Sequence, residues 1–214
     1  MLVVVLGIDG AGKSTAARSL VDRVRLNGGR AMLLQNYSGR RSISAWCAAH
    51  DVRLHPRLAD TVETLIRIGH VLVSHLRARH FDGVVVMDRH LHCQLALRNV
   101  RGLPHGYVVP WLIRHLPQPD LMVFFDISAE QAHQRITRRG IDDESPSYLQ
   151  AFRAAYRALP EYPGFTSIAA DRPVAEITAE LEGLLARPPA VSPVGRLTSS
   201  LARRFAQCLP SRAA

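Results

Sequence analysis

The chain has 214 residues, 47% apolar and 21% charged, enough for one globular domain with a sizeable core. No apolar run approaches the roughly 18 residues of a membrane-spanning helix, and no charged-then-apolar leader precedes the first strand, so the fold is expected to begin almost at Met1, in the cytoplasm. The net charge of +9 is concentrated at one end: residues 187–214 carry five arginines and no acid, leaving 22 basic against 18 acidic residues in 1–186, too even a balance for a nucleic-acid module and suited to polyanionic small-molecule substrates.

The apolar run Leu2 to Leu6 reads as a first strand. It leads into Gly7-Ile8-Asp9-Gly10-Ala11-Gly12-Lys13-Ser14-Thr15, which fits the phosphate-binding loop G-x-x-x-x-G-K-[ST] in its required setting, strand before and helix after. Gly7, Gly10 and Gly12 let the backbone turn tightly and approach a polyphosphate, with successive N–H groups pointing inward at a helix N-terminus. Lys13 would reach the β- and γ-phosphates of ATP and the Ser14 hydroxyl would ligate Mg²⁺. Lys13 is the only lysine in the chain, against 26 arginines, and it stands where a compact ammonium suits the loop better than a planar fork.

A helix is expected over Ala16 to Leu26, ending at Asn27-Gly28-Gly29, then a strand over Ala31 to Leu34. The turn-rich loop 36–41 falls at the carboxyl end of that strand, the side on which open parallel sheets bind ligands. From Pro56 to Arg79, Leu58, Val62, Leu65, Leu72 and Leu76 fall close to a 3.6-residue stripe, which predicts a long helix buried on that face. Val84 to Asp88 reads as a central parallel strand covered on both faces, with a carboxylate at its tip where a phosphate-loop enzyme keeps its magnesium-side acid, and Arg89 follows at once.

Four prolines between 104 and 119 leave room only for a short helix, Val108 to Leu116. A strand is expected over Leu121 to Asp126, a helix over Ala129 to Arg139, a helix from about Pro146 to Leu159, a strand over Thr166 to Ala169 and a last helix over Pro173 to Ala186. Strands alternating with helices imply a parallel sheet flanked by helices. The segment 187–214 begins with Pro188-Pro189 and then repeats Leu197, Leu201, Phe205 and Leu209 every four residues among arginines. It reads as a mobile tail, a docked short helix, or an amphipathic helix for an anionic surface.

Two side features carry less. The cysteines, Cys47, Cys93 and Cys208, are odd in number and far apart, which argues for reduced thiols. His90 and His92 lack the spacing of a structural zinc site and are expected to point to different sides of a helix; His70, His75 and His80 do not stack on one helical face.

The loop GIDGAGKST, the strand and tip VVVMDRH, and the segment PDLMVFFDISAEQAHQRITRRG together resemble bacterial thymidylate kinases, of the nucleoside monophosphate kinase superfamily, over about residues 1–182. The resemblance implies an α/β, three-layer P-loop NTPase fold with a five-stranded parallel sheet, a homodimer formed through helices, and transfer of the γ-phosphoryl group of ATP to dTMP. The kinase domain would be 1–186, with a lid at about 138–147.

Residue by residue, the resemblance implies that Asp9 contacts the acceptor sugar, that Lys13 and Ser14 hold donor and metal, and that Asp88 is the metal-side acid. Arg89 would grip acceptor and transferred phosphoryl, Arg40 the acceptor phosphate, and Arg67 the thymine edge. Gln94 would read the pyrimidine, Glu144 and Arg153 would be the acid and arginine of the helix after the lid, and Asp171 would lie beside the adenine. Glu63 stands where the family stacks a phenylalanine on thymine, and Leu97 falls near a family aromatic. The short lid holds no arginine, so Arg135, Arg138 and Arg139 are the candidates for the transition-state clamp. Two other readings fit the residues: a kinase of the same architecture with a different acceptor, which Glu63 would meet and Asp9 would deprotonate, and a nucleotide-binding regulatory module without an acceptor.

Overall fold

The computed structural model describes residues 1–40, 47, 49–51, 54–140 and 144–186. Arg41 of the loop, lid residues 141–143 and the tail 187–214 lie outside the described residues. Five strands, β1 (Leu2–Leu6), β2 (Ala31–Gln35), β3 (Val84–Asp88), β4 (Leu121–Asp126) and β5 (Thr166–Ala169), form one parallel sheet in the order β2-β3-β1-β4-β5. Because β1 is central, its apolar residues are covered on both faces, and Val3, Val4, Val5 and Leu6 are fully buried. Each such side chain removed from water contributes about 1.5–3 kcal/mol.

Seven helices flank the sheet among the described residues: α1 (Lys13–Leu26), α2 (Pro56–Arg79), α3 (His92–Val100), α4 (Val108–His115), α5 (Ala129–Arg139), α6 (Pro146–Arg157) and α7 (Val174–Leu185). α1 packs on α7 and against β1, β2 and β3, while α3 packs on α6, α2 and α4. The ends follow local chemistry. The Ser128 hydroxyl accepts from the Gln131 N–H to open α5, Ser145 does the same for α6 with Pro146 behind it, and Gly140 closes α5 in the left-handed conformation. α1 starts three residues earlier than its sequence suggests, because Gly12 turns left-handed and the phosphate loop feeds straight into the helix.

The long helix is where sequence periodicity misleads. α2 spans the expected residues, but its leucine stripe faces outward: Leu58 is 51% exposed, Leu65 63% and Leu76 59%, with Leu72 and Val73 also exposed. Its buried face is Asp60, Glu63, Thr64, Arg67, Val71, Ser74 and His75. Polar groups turn inward because they pair with α3 and line the site described below. Among the described residues nothing covers this leucine face.

The histidines also differ from expectation. α3 begins only at His92, so His90 belongs to the turn before it and the two rings meet, with His90 Nδ1 3.2 Å from His92 Nδ1. On its other side His90 Nε2 is 3.1 Å from His75 Nε2, giving a buried row of three rings. Burial lowers the pKa of all three, that of His92 to about 4, and the neighbouring Arg67 charge depresses His90 further.

The folded pKa lies below the ordinary value near 6.5, so the row's stability is present above that pH and is lost as protons bind on acidification. The urea midpoint should therefore fall between pH 7.5 and 5.5, by up to about 1.4 kcal/mol per pH unit for each proton taken up on unfolding. A midpoint that stays level or rises over that interval would mean that the row is already charged in the folded protein.

Candidate active site

The parallel register sets β1 and β3 side by side, Val5 opposite Asp88, so the loop after β1 and the tip of β3 end at one place. Gly7 has φ +139° and Gly10 φ +80°. A Cβ on Gly10 would fall 2.4 Å from the backbone oxygen of Ala132, and one on Gly7 2.8 Å from that of Phe125. Here only glycine lets the loop lie against β4 and α5. Ala11 is fully buried beneath the loop.

A cleft of about 660 Å³ opens above these ends. Of the residues expected at the site, Asp9, Gly10, Gly12, Lys13, Ser14, Thr15, Arg40, Arg67, Arg89 and Arg139 line it. Lys13 donates from Nζ to the Ile8 carbonyl at 2.6 Å and lies 4.0 Å from Asp9. Burial and the nearby Arg89 charge lower its pKa to about 8. Ser14 donates its hydroxyl to Oδ2 of Asp88, and the other carboxylate oxygen, Oδ1, is buried without a hydrogen-bond partner. A carboxylate with an unused oxygen beside a phosphate-loop hydroxyl is the donor set that a hydrated Mg²⁺ takes.

Asp9 collects the cations. It accepts from Arg89 Nη2, with Arg40 Nη2 3.7 Å from its other oxygen and Lys13 within 4.0 Å. Burial opposes its ionisation, but Arg89, Lys13 and Arg40 together hold its carboxyl well below the usual range. Arg40 in turn donates to the Tyr148 hydroxyl at 3.0 Å and to Glu144, which ties α6 to the loop after β2. Burial costs Arg40 charge, while Tyr148, Glu144 and Asp9 more than restore it and raise its pKa. Arg67 is buried, its pKa lowered by that burial, and donates from Nη1 to the Asn36 carbonyl at 3.1 Å.

Other expected residues stand away from the cleft wall. Glu63 is buried and pairs with Arg101 at 3.0 Å, and Gln94 is buried with its amide nitrogen donating to Asp60 at 2.9 Å. Both belong to an ion-pair layer between α2 and α3 directly behind Arg67. Arg135 donates to the Ala170 carbonyl at 2.8 Å, with its guanidinium next to Gly12. Asp171 lines a separate hollow of about 330 Å³ together with Asp126 and Arg153. Arg153 holds Asp126 through two hydrogen bonds, of 2.6 and 3.0 Å, so it braces α6 on β4 rather than lining the cleft.

Sequence reasoning missed Arg18, Tyr148 and Asn36. Arg18 lines the cleft and sits one helical turn past Ser14, a spacing that could have flagged it. Tyr148 and Asn36 act through partners distant in sequence, and no local pattern marks them.

A family profile for thymidylate kinase matches residues 5–181 of the chain. The chain belongs to the thymidylate kinase family. A probable thymidylate kinase of Archaeoglobus fulgidus is 26% identical over 191 residues, covering 86% of this chain and 94% of that protein. One of Thermococcus gammatolerans is 27% identical over 202 residues, covering 86% and 95%. A thymidylate kinase of Xanthomonas campestris pv. campestris is 31% identical over 172 residues, covering 77% and 73%. As a member of the thymidylate kinase family the chain is an ATP-dependent nucleoside monophosphate kinase, and the family reaction is phosphorylation of dTMP to dTDP.

With a thymidylate kinase's phosphate loop, Lys13 meets the charge of ATP at a pKa near 8 in the free enzyme, and bound phosphates will raise it. ATP binding at pH 8 should therefore take up a proton, seen as a buffer-dependent heat in titration calorimetry. The uptake should vanish at pH 6.5; the same uptake at both values would assign the proton to another group.

Proposed function

We propose that the residues assembled in the cleft carry out ATP-dependent phosphorylation of dTMP as follows. The β- and γ-phosphates of ATP lie along the backbone N–H groups of residues 10–15 and the Lys13 ammonium. Ser14 and Asp88 hold Mg²⁺, whose role when bound is to neutralise charge on the phosphates. The fit rests on the unpartnered Oδ1 of Asp88 beside the Ser14 hydroxyl.

Arg40 and Arg89, both turned to Asp9, bind the acceptor's phosphate, and Arg67 faces its base. An oxygen of that phosphate attacks the γ-phosphorus, the bond from the γ-phosphorus to the bridging oxygen breaks, and ADP leaves. The nucleophile is already anionic at neutral pH, so orientation and positive charge do most of the work. Lys13, Arg89 and Arg139 from the end of α5 supply that charge from three sides. The observation that carries this reading is the convergence of Lys13, Arg40 and Arg89 on Asp9 at the phosphate loop. A regulatory module needs no acceptor-side arginines.

With ATP and Mg²⁺, the protein should convert dTMP to dTDP and leave thymidine untouched. Consumption of ATP only with unphosphorylated acceptors would overturn the acceptor assignment. Arg89→Ala should lower kcat by about 10²- to 10³-fold while ATP affinity stays within a few-fold. Equal losses in both would favour a nucleotide sensor.

The exposed leucine face of α2 supports a homodimer. Apolar residues at helical spacing that no described residue of their own chain covers gain most by packing on a second copy. Replacing Leu65 and Leu72 together with aspartate should convert a dimer to a monomer in sedimentation velocity; a monomeric wild-type protein would contradict the assembly. Reduced Cys47 and Cys93, neither in a disulfide, are in keeping with a cytoplasmic enzyme.

A further inference from the structure

One residue behind the cleft has no part in the reaction scheme. Asn36 follows β2, is fully buried, and makes four hydrogen bonds to two other segments, the end of β3 and α2. Its N–H donates to the Asp88 carbonyl at 3.0 Å, continuing the β2·β3 ladder one step past Gln35 and Asp88. Its side-chain Nδ2 donates to the Arg89 carbonyl at 2.7 Å, and its own carbonyl accepts from Arg67 Nη1 at 3.1 Å. Its Oδ1 accepts from the Ser74 hydroxyl at 2.7 Å.

Arg89 needs such a partner. Its φ is +76°, in the left-handed region, which a residue with a long side chain rarely adopts. The turn takes its carbonyl out of the ladder, where a neighbouring strand would have supplied a donor. The Asn36 amide supplies the donor for that part-buried oxygen instead. The same turn delivers the guanidinium to Asp9. The N–H of Arg89 is held by the Val5 carbonyl at 3.0 Å, so the strained peptide is fixed on one side by β1 and on the other by Asn36.

The Arg89 carbonyl decides which way the amide faces, because it can only accept: the flipped amide would set two oxygens against each other. Oδ1 is left to the Ser74 hydroxyl, which donates to it and holds the amide from the other side. Ser74 lies seven residues after Arg67 on the buried face of α2, so one helix supplies both the arginine that faces the base and the hydroxyl that holds the amide.

We propose that Asn36, held in place by Ser74, is a positioning residue that sets the two acceptor-side guanidiniums, Arg89 at the transfer point and Arg67 at the base. The proposal rests on the acceptor roles given to those arginines above. Asn36 touches Asp88 only through its main-chain N–H, which the alanine variant keeps, and its side chain bonds Arg89 and Ser74, so a side-chain substitution at either position acts on the acceptor half-site.

The test first confirms that wild-type protein phosphorylates dTMP; failure there removes the proposed function itself, apart from the positioning role. Given activity, Asn36→Ala should lower kcat about 10- to 100-fold and raise the KM for dTMP, with ATP affinity measured by titration within twofold of wild type. Ser74→Ala should shift the same two constants by less, Ser74→Thr should keep wild-type values because it retains the hydroxyl, and the double alanine variant should be no worse than Asn36→Ala alone. The proposal is overturned if Asn36→Ala leaves both constants within twofold, if ATP affinity falls as far as dTMP turnover, or if Ser74→Thr loses as much as Ser74→Ala. Should Asn36→Ala fail to fold, the two Ser74 variants decide by themselves.

Discussion

The parallel pairing of β1 with β3 is the constraint on which the rest depends. Val5 lies opposite Asp88, so the chain leaves β1 into the phosphate loop at the level where β3 ends in its carboxylate. The Ser14 hydroxyl, at the start of the helix that follows, then meets Asp88 across the gap. A slip of one residue would turn Asp88 to the other face of the sheet and separate the two. That register is secured by the fully buried side chains of β1, which any slip would displace.

Around that junction the chain concentrates positive charge, and the architecture is adapted to holding it. Lys13, Arg40 and Arg89 share one carboxylate, Asp9, and Arg40 has a second one in Glu144. A carboxylate outnumbered by cations keeps them apart and directed while leaving net positive charge for phosphoryl groups to complete. Behind the cleft, Asp60 and Glu63 on α2 pair with Arg98 on α3 and Arg101 just past its end, so the wall that carries Arg67 is itself ion-paired. These requirements invert the amphipathicity of α2. Its inward face is polar because the substrate is polar, and its apolar face is turned outward.

Much of this was legible in the sequence. β1, β3 and β4 show as apolar runs, the last two ending in aspartate, and the glycine spacing before Lys13 has one physical use. Asp9, Lys13, Ser14, Arg40, Arg67 and Arg89 come together as expected because each sits at a carboxyl end of a strand or on the helix beside it. Periodicity failed on α2, since it reports that a helix has two faces and not which face is buried; exposed leucines at helical spacing look like leucines in a core. The histidine row, the Arg153 brace on Asp126 and the Asn36 junction were out of reach for another reason. Each depends on contacts between segments 15 or more residues apart, fixed only once the sheet order is known.

The most direct measurement is ATP affinity with and without Mg²⁺, for the wild-type protein and for Asp88→Asn, which keeps the shape of the side chain and removes its charge. If Asp88 and Ser14 form the metal side of the phosphate loop, Mg²⁺ will tighten ATP binding to the wild-type protein and will do so far less in the variant, with metal-free ATP binding nearly equal in both. Full retention of the magnesium effect in Asp88→Asn would contradict the account.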